Sequence, residues 1–322
     1  MDSLPPSEPG SAAPATRERR PSPLAIWAAL ITLYIVWGST YLGIRFVVQG
    51  LPPFLSAATR FLCAGGALFL LRRLRGDPAP TPRQWRSAGI IGAFLLIGGN
   101  GCLVWAEQQV PSGIASLLVA TSPLWMVLID LFIPGSRKPT ALILLGVLLG
   151  FSGIVVLVGP QQFIGQVGSV DLLSAGVVIL GSLFWAIGSL YSRKAELPAS
   201  PLLGTGMEML LGGVGLLLVG TVAGDWGRLN LAAVPALSWA ALAYLIVVGS
   251  WIGFSAYTWL LRVAPTPLVS TYAYVNPLVA VTIGYLLGGE ELSTRTFLAA
   301  AIIVGAVAMI TVLRPARRED PV

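Results

Sequence analysis

Two ionisable side chains, Arg60 and Glu208, stand inside long apolar stretches of this 322-residue chain. A charge in such a setting is costly to desolvate, so it defaults to a functional expectation. The chemistry they offer is ionic recognition. A guanidinium receives a carboxylate and a carboxylate receives an ammonium, which together suit a zwitterion such as an amino acid. The alternative is structural: the two pair with each other or with polar groups of neighbouring helices. Glu107 stands just past an apolar run, seven residues after Asn100, and shares a helix face with it. It reads either as a solvated loop carboxylate or as a group that loads and releases a proton as its surroundings change between dry and wet. Asp130, Glu290 and Glu291 read as boundary residues at helix ends.

Uncharged recognition groups recur at helical spacing. Tyr272 and Asn276 are four residues apart, as are Trp37 and Tyr41, and Trp185 with Ser189 repeats the second pattern. That spacing puts both members on one face, and these faces are expected to line a pathway; packing or an interfacial aromatic belt is the alternative. Pro277 follows Asn276, and Pro123 follows Ser122. A proline within a membrane helix frees a carbonyl, and such breaks are tolerated where they face protein or a wet cavity. The candidate substrate-binding set is therefore Trp37, Tyr41, Arg60, Asn100, Glu107, Trp185, Glu208, Tyr272 and Asn276.

Other chemistry is missing from the sequence. There is no histidine, and Cys63 and Cys102 lie in apolar runs without metal-ligand spacing. No phosphate loop or nucleophile–base pair is present, so neither an enzyme, a cofactor, a metal nor ATP-driven pumping is expected. The net charge of +6 is spread in short basic runs between apolar segments, which speaks against a nucleic-acid partner.

The elements that would position these residues are membrane helices. The chain is 55% hydrophobic and 11% charged, with a mean hydropathy of +0.81, where a soluble protein carries about 25% charged residues. Ten apolar segments near 24–43, 52–72, 85–105, 112–133, 140–159, 170–192, 201–222, 237–260, 267–288 and 296–314 have about the length needed to cross ~30 Å of hydrocarbon. Residues 1–23, rich in proline, serine and charge, and residues 315–322 read as tails. With ten crossings, sixteen basic residues fall on the N-terminal side, against Arg45, Arg228 and Arg295 on the other. By the positive-inside rule both termini are cytoplasmic, in a multi-pass protein of the inner or plasma membrane.

The chain also repeats. Trp85, Trp105, Pro111 and Pro123 recur as Trp239, Trp259, Pro265 and Pro277 at one offset of 154. Trp37, Arg45, Pro53 and Gly65 recur as Trp185, Arg193, Pro201 and Gly213 at an offset of 148. The expected fold is thus all-α, with five-helix repeats over 24–159 and 170–314. An odd helix count makes the second copy enter from the opposite face, giving inverted repeats, a construction typical of secondary transporters.

The chain resembles the EamA-type members of the drug/metabolite transporter superfamily. The resemblance rests on Trp37-Gly-Ser-Thr-Tyr41, Arg60-Phe61, Gly99-Asn100, Ala106-Glu107 and Val110-Pro-Ser-Gly113 in the first half. In the second it rests on Gly188-Ser-Leu-Tyr191, Glu208-Met209, Tyr272-Ala-Tyr-Val-Asn-Pro277 and Gly289-Glu290. It implies two five-helix bundles around a central cavity and the export or exchange of small metabolites. One departure is that the acidic residue after the fourth helix of each half is kept at Gly289-Glu290-Glu291 but replaced at Pro134-Gly-Ser-Arg-Lys138. The expected function is efflux of a small metabolite by alternating access, with protons as candidate coupling ion; a homodimer stays open. The alternatives are an exchanger of nucleotide sugars or phosphorylated metabolites, and a membrane scaffold or sensor that transports nothing.

Overall fold

The computed structural model describes residues 22–132, 140–158, 171–264, 266–269 and 271–313. The two expected tails, save for residues 22–23, and the Pro134–Lys138 stretch lie outside these residues, as does the side chain of Asp130.

Secondary structure among the described residues is entirely helical. Helix α1 spans Pro23–Val48, α2 Pro53–Leu74 and α3 Pro82–Ala106. Helix α4 comes in two pieces, Ser112–Val119 and Ser122–Asp130. Then follow α5 (Ala141–Val158), α6 (Leu172–Ser192) and α7 (Pro201–Val222). Helix α8 runs through Ala236–Tyr244, Leu245–Ile252 and Gly253–Val263, α9 is Tyr272–Gly288 and α10 Thr294–Leu313. Seven are long and apolar enough to cross a membrane, and α5, α9 and α10 are shorter apolar helices.

Local sequence accounts for where these helices begin. Proline opens α1, α2, α3 and α7 at a position whose N–H would have no partner anyway. The Ser22 hydroxyl accepts from Ala25 N–H, and Thr81 with Gln84 closes a capping box on α3. The Asp171 carboxylate accepts from Ser174 N–H at 2.7 Å and so caps α6. The outer faces stay apolar: Leu24, Trp27, Ile31 and Ile35 form an exposed stripe on α1, as expected of a surface facing lipid.

Helix pairing follows the repeat. Helix α2 packs most extensively on α7, and α5 on α10, so equivalent helices meet each other. Helix α1 packs on α8 and α9, while its counterpart α6 packs on α3 and α4. Small residues make these crossings close. A Cβ on Gly65 would stand 2.9 Å from both Gly206 O and Leu210 N of α7, and one on Gly153 2.6 Å from Ile303 of α10.

The ends of the α2–α7 pair use one device twice. Gly76 and Gly224, at the 148 offset, both adopt positive φ (+91° and +76°) just past their helices. That turn aims the next residue, an aspartate in both cases, at the start of the partner helix. Asp225 Oδ2 accepts from Phe54 N–H at 3.0 Å and Leu55 N–H at 3.2 Å, the first turn of α2. Asp77 is gripped by the Arg72 fork at 2.7 and 2.9 Å and reaches Ser200 at the start of α7. The Arg72 hydrogen bond chiefly lowers the Asp77 pKa.

Two departures from uniform helices matter for the site. In α4 the break precedes Pro123, and the Val119 carbonyl that Pro123 leaves free accepts from the Ser122 hydroxyl at 2.7 Å. In α9 the break falls before Tyr272, so that Pro277 lies within the helix and the expected span from 267 divides into Thr266–Val269 and Tyr272–Gly288. The Thr271 hydroxyl bonds Leu268 O at 2.6 Å, as Thr121 bonds Leu118 O in α4, so each break satisfies its own carbonyl. Secondly, α3 and α8 widen to π-helix over Ala93–Asn100 and Leu245–Ile252. Wide turns of this kind occur often at functional sites, and these two flank the cavity described next.

Candidate functional site

A cavity of about 140 Å³ lies between the two halves. Of the nine candidate residues, Trp37, Tyr41, Arg60, Asn100, Trp185, Tyr272 and Asn276 line it; Glu107 and Glu208 do not.

Arg60 projects from α2 and is 5% exposed. Its Nε donates to the Ser250 hydroxyl at 3.1 Å, and Ser250 Oγ in turn donates to Leu245 O at 3.0 Å across the wide turn of α8. The π-helix therefore both places Ser250 and gives its proton somewhere to go. Among the described residues no hydrogen bond or ion pair engages the two terminal nitrogens of Arg60. Glu208, at the equivalent place on α7, makes no ion pair with it. The backbone of Glu208 is pressed by α3, since a Cβ on Gly92 would meet Glu208 O at 2.7 Å. Pairing of Arg60 with Glu208 is thus not what the fold arranges.

An aromatic wall faces the guanidinium. The Trp37 ring contacts Phe254 at 5.2 Å, Tyr257 at 5.1 Å and Tyr272 at 5.3 Å between centroids, the first and last edge-to-face. Trp185 and Tyr272 both line the cavity. Each of these tryptophans lies over a glycine of the other half. A Cβ on Gly253 would stand 2.5 Å from Trp37 Nε1, and one on Gly99 3.1 Å from Trp185. Gly99 and Gly253 differ by 154, so the arrangement was legible in the sequence, although glycine is too common to draw notice. Phe254, the counterpart of Asn100 at the same offset, also lines the cavity and was missed.

Two amides complete the lining. Asn100 ends the wide turn of α3, and Asn276 precedes Pro277 in α9; the side-chain oxygen of each is buried without a hydrogen-bond partner. An acceptor left in that state costs about 1–3 kcal/mol, which a ligand bearing N–H or O–H donors would recover.

Glu107 sits outside the cavity, immediately past α3, and is 1% exposed with both carboxylate oxygens unpartnered. Burial first, and the Glu290 charge second, raise its pKa well above the ordinary carboxyl range, against the opposing pull of Arg45 and Arg60. It is therefore not a solvated loop carboxylate.

The profile of the EamA-like transporter family matches this chain twice, over residues 24–159 and 172–312. The chain belongs to the EamA-like transporter family. YedA of Escherichia coli K12, named an uncharacterized inner membrane transporter, is 41% identical over 291 residues, covering 89% of this chain and 91% of its own. A protein of Streptantibioticus cattleyicolor named "Probable terminal-alkyne amino-acid exporter" is 27% identical, with 92% of this chain and 96% of its own covered. A crystal structure 22% identical in sequence superposes with a TM-score of 0.61 over 92% of this chain and all of its own, which shows a shared fold. The protein is accordingly a multi-pass membrane protein of a transporter family.

Proposed function

We propose that the protein is a secondary active transporter that exports a small zwitterionic metabolite of the amino-acid class, exchanging it for protons by alternating access. The observation that carries the reading is the cavity between the halves, lined by a buried guanidinium whose Nε is held by Ser250 and whose Cζ lies over Phe61, by two amides with unpartnered oxygens and by an aromatic wall. The free end of Arg60 suits a carboxylate, and the Asn100 and Asn276 oxygens suit an ammonium without a second buried charge. Size supports the class: about 140 Å³ is close to the ~150 Å³ cavity that holds a benzene, room for a small amino acid. Arg60 is also the single cation lining the cavity among the described residues, which disfavours a phosphorylated cargo. The exchange of partners by α1 and α6 supports the inverted repeat that alternating access uses. The basic residues support cytoplasmic termini.

The test is flux into proteoliposomes under an imposed pH gradient with a panel of labelled amino acids, comparing wild type with Arg60→Gln. Proton-driven flux of at least one zwitterion is expected, with an apparent affinity that Arg60→Gln weakens at least tenfold. Absence of flux for every member would favour the scaffold or sensor.

A further inference from the structure

At the end of the molecule where Arg45 lies, α1, α4 and the turn after α9 are fastened together. The Glu290 carboxylate accepts from Ser112 N–H at 2.6 Å, the Ser112 hydroxyl at 2.7 Å and Gly113 N–H at 3.0 Å. It thereby caps α4 from a distant part of the chain, so it is more than the boundary residue its sequence context suggests. Arg45 Nε stands 3.8 Å from Glu290, and its Nη1 donates to Glu107 O at 3.0 Å and Val110 O at 2.9 Å. Packing beneath leaves no slack: a Cβ on Gly113 would lie 3.2 Å from Val281 Cα, and one on Gly284 2.5 Å from Glu290 Oε2. Sealed beside this fastening is Glu107, with no donor to either oxygen.

We infer that Glu107 is the proton-binding group of the transport cycle and that Glu290 is the latch which protonation of Glu107 allows to shut. The inference rests on the transport reading above and names the regulation of that site. The charged groups around Glu107 are Glu290, Arg45 and Arg60, with the Tyr41 phenol beside them. Arg45 is already committed to two carbonyls and to Glu290, and Arg60 to the cavity. An ionised Glu107 would be unsolvated, lack hydrogen bonds and face a second carboxylate, a combination that costs several kcal/mol. The shut corner therefore admits the neutral acid. When α4 leaves Glu290, water reaches Glu107 and its proton passes to that water as the carboxylate forms. In the reverse step a proton taken from water on that face restores the neutral acid, and Glu290 can cap α4 again.

The experiment needs no cargo. In full-length protein carrying Cys63→Ala and Cys102→Ala, Ala115→Cys places a reporter on α4 where the shut structure is fully buried. Its rate of modification by a membrane-impermeant maleimide is measured from pH 5 to 9, divided by the rate at the exposed position Gly227→Cys. The ratio is expected to rise several-fold with pH in wild type, to stay low and flat in Glu107→Gln, and to be raised at every pH in Glu290→Gln. If Glu290→Gln aggregates, Ser112→Ala and Glu290→Asp serve, both labelling faster than wild type. A wild-type pH profile retained by Glu107→Gln, or no acceleration in any latch variant, overturns the inference. Failure of the transport reading would show instead as absent flux with this labelling pattern intact.

Discussion

Replacing Asp225 with alanine tests how much one distant cap contributes to holding α2 against α7. Asp225 is fully buried, and a single oxygen receives both Phe54 N–H and Leu55 N–H. Hydrogen bonds to a charged partner contribute about 1.5–3 kcal/mol each, and a helix cap lost to alanine typically costs ~0.5–2 kcal/mol. The two N–H groups share one acceptor, and the second oxygen of Asp225 is itself unpartnered, so the sum must be discounted. Asp225→Ala should destabilise the fold by roughly 3 kcal/mol, a drop in thermal midpoint on the order of 5–10 °C. Asp225→Asn keeps an acceptor and should lose less than half as much. Asp77→Ala removes the counterpart at the other end, where the carboxylate is only partly buried and its Arg72 partner local, and should shift the midpoint less. Thermal unfolding in detergent, followed by loss of the monodisperse elution peak, gives all three. If Asp225→Ala melts with wild type, or if the two alanine variants shift equally, the reasoning about buried caps is wrong.

Arg60→Gln should weaken binding of a transported zwitterion at least tenfold, from loss of a charge-assisted contact of ~1.5–3 kcal/mol, measured by concentration dependence of flux. Ser250→Ala, which removes only the Nε partner, should weaken it less. Glu208→Gln should leave the apparent affinity within about twofold, since this carboxylate neither lines the cavity nor pairs with Arg60. Gly65→Ala drives a methyl against backbone atoms of α7 at 2.9 Å and should cost ~1–3 kcal/mol in thermal stability. Gly176→Ala meets nothing within 4 Å and should stabilise by up to ~1 kcal/mol.

Much of the architecture was readable because rare residues mark the repeat. Trp37 and Trp185 share an offset and both face the cavity, as do Pro123 and Pro277. Arg60 and Glu208 share the same offset, yet only Arg60 lines it. Their difference arises from neighbours: Ser250 on a widened turn draws Arg60 inward, while Gly92 brings α3 down on the turn that carries Glu208. No local pattern reveals either contact. Glu290 was opaque for a like reason, since the N–H groups it caps belong to Ser112 and Gly113 in the other half. The Gly76-Asp77 and Gly224-Asp225 pairs obey the 148 offset and were legible. Their role was not, because a glycine and an aspartate after a helix look like any turn.

The widened turns of α3 and α8 also change what a small edit to the chain would do. In an ordinary spanning helix, losing one residue turns everything beyond it by about 100° and buries the wrong face. A π-helical turn already holds one residue more than an α-turn needs, so it can lose that residue by tightening, with its carbonyls still paired. Within Ala93–Asn100 or Leu245–Ile252 such a deletion would leave the rest of the span in register and re-aim only residues of the turn itself, Asn100 in the first and Ser250, the Arg60 partner, in the second. Loss of a single residue at these two places would thus act as a dial on specificity, where elsewhere in the spanning helices it would be a defect.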